Sequence, residues 1–369
     1  MGNPLDKLTI RGFKSIRELE DFELKNLNVL IGGNGAGKSN FVEIFRMLRA
    51  MVDQTFANYI LTRGGADDFL FNGPKTTKII EAQFRFGAND YAFELEPTAA
   101  EKFIIKAEKI KYDLGSWTFI GNSSFESRLP GVKNNSGLTA KRGVGYYVYE
   151  AVSDWTIYHF HDTSATSPMR RSEIVEDNRR LRSDAANIAP FLFNLKEMEI
   201  FNNSYLEIVN AIRLVTPFFD DFILKPVQKG EKETVKLSWK QKGSDYPMQP
   251  YHFSDGSIRF ICLATALLQP DPPSTIIIDE PELGLHPSAI SILSELIQDA
   301  SKRTQIIVAT QSPALIDHFN VEDVIVVNRQ DGASTFERLR EEDFNVWLET
   351  YSVGELWSKN VIAGGPVYE

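Results

Sequence analysis

The spacing of apolar residues changes character repeatedly along this chain, and each change predicts an element. Near the start, KLTIRGF, IRELEDFELK and NLNVLIG read as short strands, the last running into a glycine-rich turn. Beyond the turn, Phe41, Val42, Ile44, Phe45, Leu48 and Met51 recur at helical spacing, and no Gly or Pro interrupts them before Gly64. Residues 75–111 alternate again in TTKIIEAQFRF, DYAFELEP and EKFIIKAEKIKYDL, the pattern of an antiparallel meander with GAND as one turn. Residues 115–145 are dominated by Gly, Ser, Asn and charge, and read as loop. YYVYEAVSDWTIYHFHD then reads as strand. Residues 184–215 carry helical periodicity through Ile188, Phe191, Leu192, Leu195, Met198, Leu206, Val209 and Ile212.

Two more strands, FDDFILKPV and ETVKLSWK, precede a last third in which helix and strand alternate. The pattern predicts helix 257–268, strand 274–279, helix 287–300, strand 304–309 and strand 323–327. Such alternation implies a parallel sheet covered on both faces, and TIIID and QIIVAT have the continuous apolar character of its strands. There is no internal repeat and no heptad run long enough for a coiled coil.

Composition adds bounds. A chain of 369 residues, 43% hydrophobic and 24% charged, can build one large or two ordinary domains around a substantial core. Its single cysteine, Cys262, cannot form an internal disulfide and lies in an apolar helical stretch, where core packing is its expected role. No charged stretch followed by an apolar run opens the chain, and no apolar run approaches the roughly 20 residues of a membrane span. A cytoplasmic location without membrane partners is the expectation. The glycine of MGNPLD is followed by Asp6 where a myristoylation signal wants Ser or Thr. The net charge of −10 argues against a globally basic coat for nucleic acid, while leaving room for a local groove. Arg170, Arg171, Arg179, Arg180 and Arg182, and Lys225, Lys229, Lys232, Lys236, Lys240 and Lys242, read as solvated faces interleaved with acids.

The chemistry sits in three segments. GGNGAGKS, residues 32–39, fits G-x-x-x-x-G-K-[ST] between a predicted strand and a predicted helix, the context a phosphate loop requires. Its cradle is read as Gly32, Gly33, Asn34, Gly35, Ala36, Gly37, Lys38, Ser39 and Asn40. Backbone N–H groups and the helix dipole face phosphate oxygens, Lys38 reaches the β- and γ-phosphates, and Ser39 offers a hydroxyl to Mg²⁺. In STIIIDEPE, an apolar strand delivers Asp279 and Glu280 to the carboxyl edge of the sheet, where open α/β sheets place ligands. Asp279 would hold the Mg²⁺ hydration shell and Glu280 would polarise the attacking water. The third segment is FSDGSIRF, where Ser254, Asp255 and Gly256 open an apolar helix; alone it would be a plain helix cap.

Taken in order, phosphate loop, Ser-x-Gly helix start, IIIDEPELGLHP and ATQSP resemble the ABC/SMC-like ATPase heads. More closely, LTIRGFKSIRELEDFEL, LRSDAANIAPFL, GLHP and WLETYSVGELWSKNVIAGG resemble the compact RecF/SMC-like AAA group that lacks long coiled-coil arms. The resemblance runs over residues 8–365. It implies a P-loop head with a mixed sheet, an antiparallel β subdomain and a helical/β insertion, divided as an N-terminal lobe (1–97), an insertion (98–216) and a C-terminal lobe (217–369). It also implies ATP and Mg²⁺ as ligands, hydrolysis, and a homodimer in which Ser254, Gly256 and the helix start at Ser257 complete the partner's site. Gln311 stands where such heads commonly carry a γ-phosphate-sensing histidine; an amide can hydrogen-bond but not carry a positive charge, so hydrolysis would be slow or partner-dependent. The Q-loop glutamine of the family has no assigned counterpart, Gln54 and Gln83 being the candidates.

By the same resemblance the chain is a switch for nucleic acid or for a separately encoded effector, with a TOPRIM-type nuclease among the candidates, in DNA repair or anti-phage defence. Two rivals stand beside it: the ATPase subunit of a membrane transporter, and a nucleotide-gated scaffold that hardly hydrolyses. Trp347, Leu348, Leu356, Trp357 and Val361 are either effector anchors or part of the chain's own core. His286 is either helix-start packing or a dimer contact. His159 and His161 share one strand face with Asp162 next in line, a conceivable metal set without a third His or a Cys nearby.

Overall fold

A computed structural model describes residues 3–133, 143–348, 350–359 and 361–362. The NNSGLTAKR part of the expected loop, residues 134–142, and the segment 363–365 of the resemblance lie outside them, as does the side chain of Leu348. The strands near the start are β1 (Lys7–Phe13), β2 (Ile16–Glu23) and β3 (Leu27–Ile31), followed by helices α1 (Lys38–Val52) and α2 (Phe56–Leu61). The meander is β4 (Ile80–Phe86), β5 (Asn89–Pro97) and β6 (Phe103–Tyr112), with β7 (Thr118–Gly121) beyond it. These strands build a six-stranded antiparallel sheet ordered β2-β1-β4-β5-β6-β7, which runs across residue 97 without a break.

A second six-stranded sheet carries the alternating last third. Its order is Ala333–Arg338, Val324–Gln330, β3, Gln305–Thr310, Thr275–Asp279 and β8 (Trp155–Tyr158). All neighbours in it are parallel except the Val324–Gln330 and Ala333–Arg338 hairpin. Side chains alternate across its faces. Ile277, Ile307 and Leu30 enter a core shared with α1 and the antiparallel sheet, whereas Ile276, Ile278, Ile306, Val308 and Val29 enter a second core. That second core is filled by the helices Ile188–Glu197, Asn202–Val215, Asp255–Leu268 and Pro287–Ala300. Helix α1 therefore lies between two sheets, and its long apolar stripe is accounted for on both sides.

Three expectations need correction. The stretch read as one strand begins as a helix, Val144–Ser153, because Gly145, Val148, Ala151 and Val152 form one buried face; only Trp155–Tyr158 is strand. Tertiary burial outweighs the β propensity of its aromatics. The first helix stops at Asp53, and Gln54 takes a left-handed backbone (φ 58°) before α2 begins. The periodic stretch 184–215 is two helices broken near Met198, which is extended. The strands after it form two small three-stranded sheets, Phe219–Ile223 with Ser238–Gln241 and Pro247–Met248, and Val227–Lys229 with Lys232–Val235 and Glu173–Ile174.

The tail helix Val353–Ser358 packs on the chain itself: Leu356 is fully buried, Trp357 rests against the second core, and the Gly354 N–H donates to Asp317 Oδ1 at 2.6 Å. Trp347 and Val361 remain exposed. Since Ile277 is fully buried between strand and α1, Ile277→Ala should cost about 2–5 kcal/mol in urea unfolding followed by circular dichroism.

Candidate nucleotide site

Residues 32–37 join β3 to α1. Gly35 (φ 78°) and Gly37 (φ 120°) hold left-handed conformations, and a Cβ on Gly37 would collide with the hydroxyls of Ser334 and Ser15. Those two serines form the back of the loop. The Ser334 hydroxyl donates to the Ala36 carbonyl at 2.5 Å and lies 2.7 Å from Ser15 Oγ, which also accepts from Asn40 Nδ2 at 2.7 Å. Asn40 therefore supports the loop from behind. Asn34, Gly35 and Ser39 are exposed at the mouth, and the Lys38 ammonium spans the loop, donating to the carbonyls of Gly32 (2.7 Å) and Gly33 (3.2 Å).

Opposite the loop stand the ends of two neighbouring strands. Asp279 closes Thr275–Asp279, and Glu280 follows with a left-handed backbone (φ 47°) pinned by its N–H to the Ala309 carbonyl at 2.8 Å. Gln311, just past Gln305–Thr310, donates from Nε2 to Glu280 Oε1 at 2.7 Å. Burial lowers the pKa of Lys38, while Asp279, Glu280 and Glu282 oppose that shift, so all three carboxylates act on the ammonium. Burial raises the pKa of Asp279, partly countered by Arg46. The Asp279 side chain makes no hydrogen bond or ion pair among the described residues, which suits a half-buried carboxylate that meets a cation. With the exposed hydroxyl of Ser39, it is the set that would hold Mg²⁺.

The signature turn lies on the Asp255–Leu268 helix. Ser254 caps it, its Oγ accepting from the Ser257 N–H at 3.1 Å, and Ser254 and Asp255 are exposed. Gly256 is required by its own chain, since a Cβ there would stand 2.5 Å from the Gly284 carbonyl. Arg170 is no solvated residue: its side chain is 5% exposed and donates to the carbonyls of Pro250 (2.5 Å) and Phe253 (3.1 Å) while pairing with Asp255. Arg259, one turn into the helix, donates to the carbonyls of Phe160 (2.9 Å), His161 (3.1 Å) and Leu283. It ties the signature helix to the loop after β8 and to the loop after the acidic pair.

Sequence reasoning missed Ser15, Ser334, Arg259 and Glu282. Glu282 Oε1 accepts from the Thr310 hydroxyl at 2.6 Å and from the Gln311 N–H at 3.4 Å; its Oε2 is buried without a partner among the described residues. Arg46 could have been found, because it follows Ser39 by seven positions and so shares its face of α1. His161 lies within electrostatic reach of Asp279, whereas His159 accepts from Arg46 Nε at 3.2 Å and burial pushes it down to about 4. Asp162 instead accepts from the Ser164 N–H, and no group of three or more metal-ligating side chains occurs among the described residues. Gln54 donates to the carbonyls of Met51 and Ser127, away from the loop, and Gln83 lies within β4. His286 caps the Pro287–Ala300 helix, and Cys262 is fully buried beside Met169.

A phosphate loop, an acidic strand end and a Ser-x-Gly helix on a mixed sheet flanked by an antiparallel one define a P-loop head of the ABC/SMC type. Residues 27–317 match the family described as "AAA domain, putative AbiEii toxin, Type IV TA system", and the chain belongs to that family. Among solved structures it is similar to an Smc head bound to the C-winged helix domain of ScpA, with TM-score 0.56 and 15% identity over 93% of this chain and 99% of that one. It is also similar to the Pyrococcus furiosus Smc head with an extended coiled coil bound to the C-terminal domain of ScpA, with TM-score 0.54 and 16% identity over 94% and 98% of the two chains. At such identity the likeness is one of fold. No curated protein matches the chain.

Burial raises the pKa of Glu282, so the native state holds that proton more tightly than the unfolded chain does. The stability this gives is present at acid pH and is lost as pH rises through the native value. Glu282→Gln, which keeps an acceptor for Thr310, should melt with wild type at low pH and increasingly above it toward neutrality; parallel melting curves at all pH values would contradict this.

Proposed function

We propose that this chain binds ATP with Mg²⁺ and hydrolyses it as a homodimer, switching a separately encoded partner that acts on nucleic acid. The observation that supports it is the convergence at one sheet edge: Lys38 lies within electrostatic reach of Asp279, Glu280 and Glu282, and Gln311 is hydrogen-bonded to Glu280. In this reading the loop 32–37 and Lys38 bind the phosphates. Mg²⁺, held by Ser39 and Asp279, would offset phosphate charge. Glu280 accepts the proton of the attacking water, its carboxylate oriented by the Gln311 amide. Ser254, Asp255 and Gly256 sit on an exposed turn of the same protomer and complete the opposite protomer's site. That the similar Smc heads were solved with a ScpA domain supports a protein partner; a TOPRIM-type nuclease remains our candidate class, and repair or anti-phage defence its setting. The slower rival, a nucleotide-gated scaffold, is favoured by one fact: Gln311 supplies no positive charge where turnover would use it.

Lys38→Ala should abolish ATP binding by equilibrium dialysis. Glu280→Gln should bind ATP, lose about 10²-fold or more in turnover, and accumulate as a closed dimer in size-exclusion chromatography. Wild-type turnover in that variant would remove Glu280 as the base.

The composite site is tested by mixing Lys38→Ala with Ser254→Arg. Ser254 is preferred to Gly256 because it is exposed, whereas any side chain at 256 strikes the Gly284 carbonyl. Recovery of part of the ATPase activity on mixing is expected, because one of the two sites in the heterodimer is intact. No recovery when heterodimers are shown to form would count against independent composite sites.

A further inference from the structure

Beside the nucleotide site, along β8, lies a cavity of about 480 Å³, within the range of small-ligand pockets. Its wall mixes apolar side chains, Ala50, Ile157 and Leu181 among them, with one carboxylate, Asp53, and a concentration of guanidinium donors. Arg46 and Arg49 come from α1, Arg63 from the turn after α2, and Arg180 from the segment leading to Ser183. Each guanidinium is held by a carboxylate: Arg46 and Arg63 by Glu43 (3.0 Å each), Arg49 by Asp53 (2.8 Å) and Arg180 by Asp154 (2.9 Å). Because Glu43 serves two arginines and also accepts from the Tyr59 hydroxyl at 2.6 Å, the cationic groups outnumber their partners. The Arg63 guanidinium lies over the Tyr59 ring, 4.7 Å from its centroid, giving the wall a flat face. Trp155 also lines the cavity; its indole N–H is buried and has no acceptor among the described residues.

We infer that this cavity is a second anion site that takes a small phosphate-bearing ligand of nucleotide class, distinct from the ATP in the phosphate loop. Preformed guanidinium forks match phosphate oxygens, and the stacked Arg63–Tyr59 pair offers a planar group a surface to lie on. His159 stays neutral there, pushed down to about 4 by burial and then by Arg46, and it accepts a hydrogen bond from Arg46. Arg46 belongs to both places. It lines the cavity, and its charge also acts on Asp279 at the sheet edge.

Binding is measured without ATP turnover, so the result stands apart from the ATPase reading. The Lys38→Ala chain is titrated calorimetrically with pyrophosphate, ADP and a single-stranded oligonucleotide. Pyrophosphate and ADP are expected to bind at one site, and Arg63→Ala with Arg180→Ala should weaken both about tenfold or more. Arg180→Ala alone, at a side chain 78% exposed, should weaken them with no change in melting temperature. Absence of pyrophosphate binding, or affinity indifferent to both arginines, overturns the assignment. Binding of the oligonucleotide alone also overturns it, since the cavity would then read a polymer.

Discussion

Burial of the mixed sheet on both faces governs where this molecule can keep anything polar. β3, Gln305–Thr310 and Thr275–Asp279 are apolar in their interiors, save for the hydrogen-bonded Asn28, because each face meets a core, and an unpaired charge within either would be prohibitively costly. Polar groups are therefore driven to the strand ends, and parallel pairing puts the ends of neighbouring strands side by side. The phosphate loop, the Asp279–Glu280 pair and Gln311 meet for that reason. Their proximity follows from strand order.

The same crowding explains the electrostatics. Three carboxylates and one ammonium share a small, partly dehydrated space, so burial displaces Lys38 downward against the pull of all three carboxylates, and displaces Asp279 and Glu282 upward with Glu280 adding to both shifts. Glu282 and Thr310 brace the turn that carries Gln311, and Gln311 in turn braces Glu280. Arg259 does the equivalent work for the signature helix through three backbone carbonyls.

Much of this was legible in the sequence because it is local. A phosphate loop needs its glycines and lysine within eight positions, and an apolar strand ending in Asp-Glu announces its own edge. The parallel sheet was readable from TIIID and QIIVAT, and the Pro287–Ala300 helix from its spacing. What escaped depends on contacts between distant segments. Residues 144–153 carry strand-forming aromatics, and only their packing against α1 and the antiparallel sheet makes them helical. Arg170 looked like one of several solvated arginines, yet carbonyls 80 and 83 positions away bury it. Ser15 and Ser334 are 319 positions apart, and nothing in either neighbourhood marks them as parts of one loop.

That separation bears on synthesis. β3, the strand that launches the phosphate loop, is central in its sheet, and both of its neighbours, Gln305–Thr310 and Val324–Gln330, come from the far end of the chain. The serine that supports Ala36 arrives later still. A nascent chain emerging from the ribosome would carry the whole glycine-rich motif long before it has a sheet to mount it on. Nucleotide capture must then be among the last events of maturation, so partly made chains stay silent toward ATP while it surrounds them.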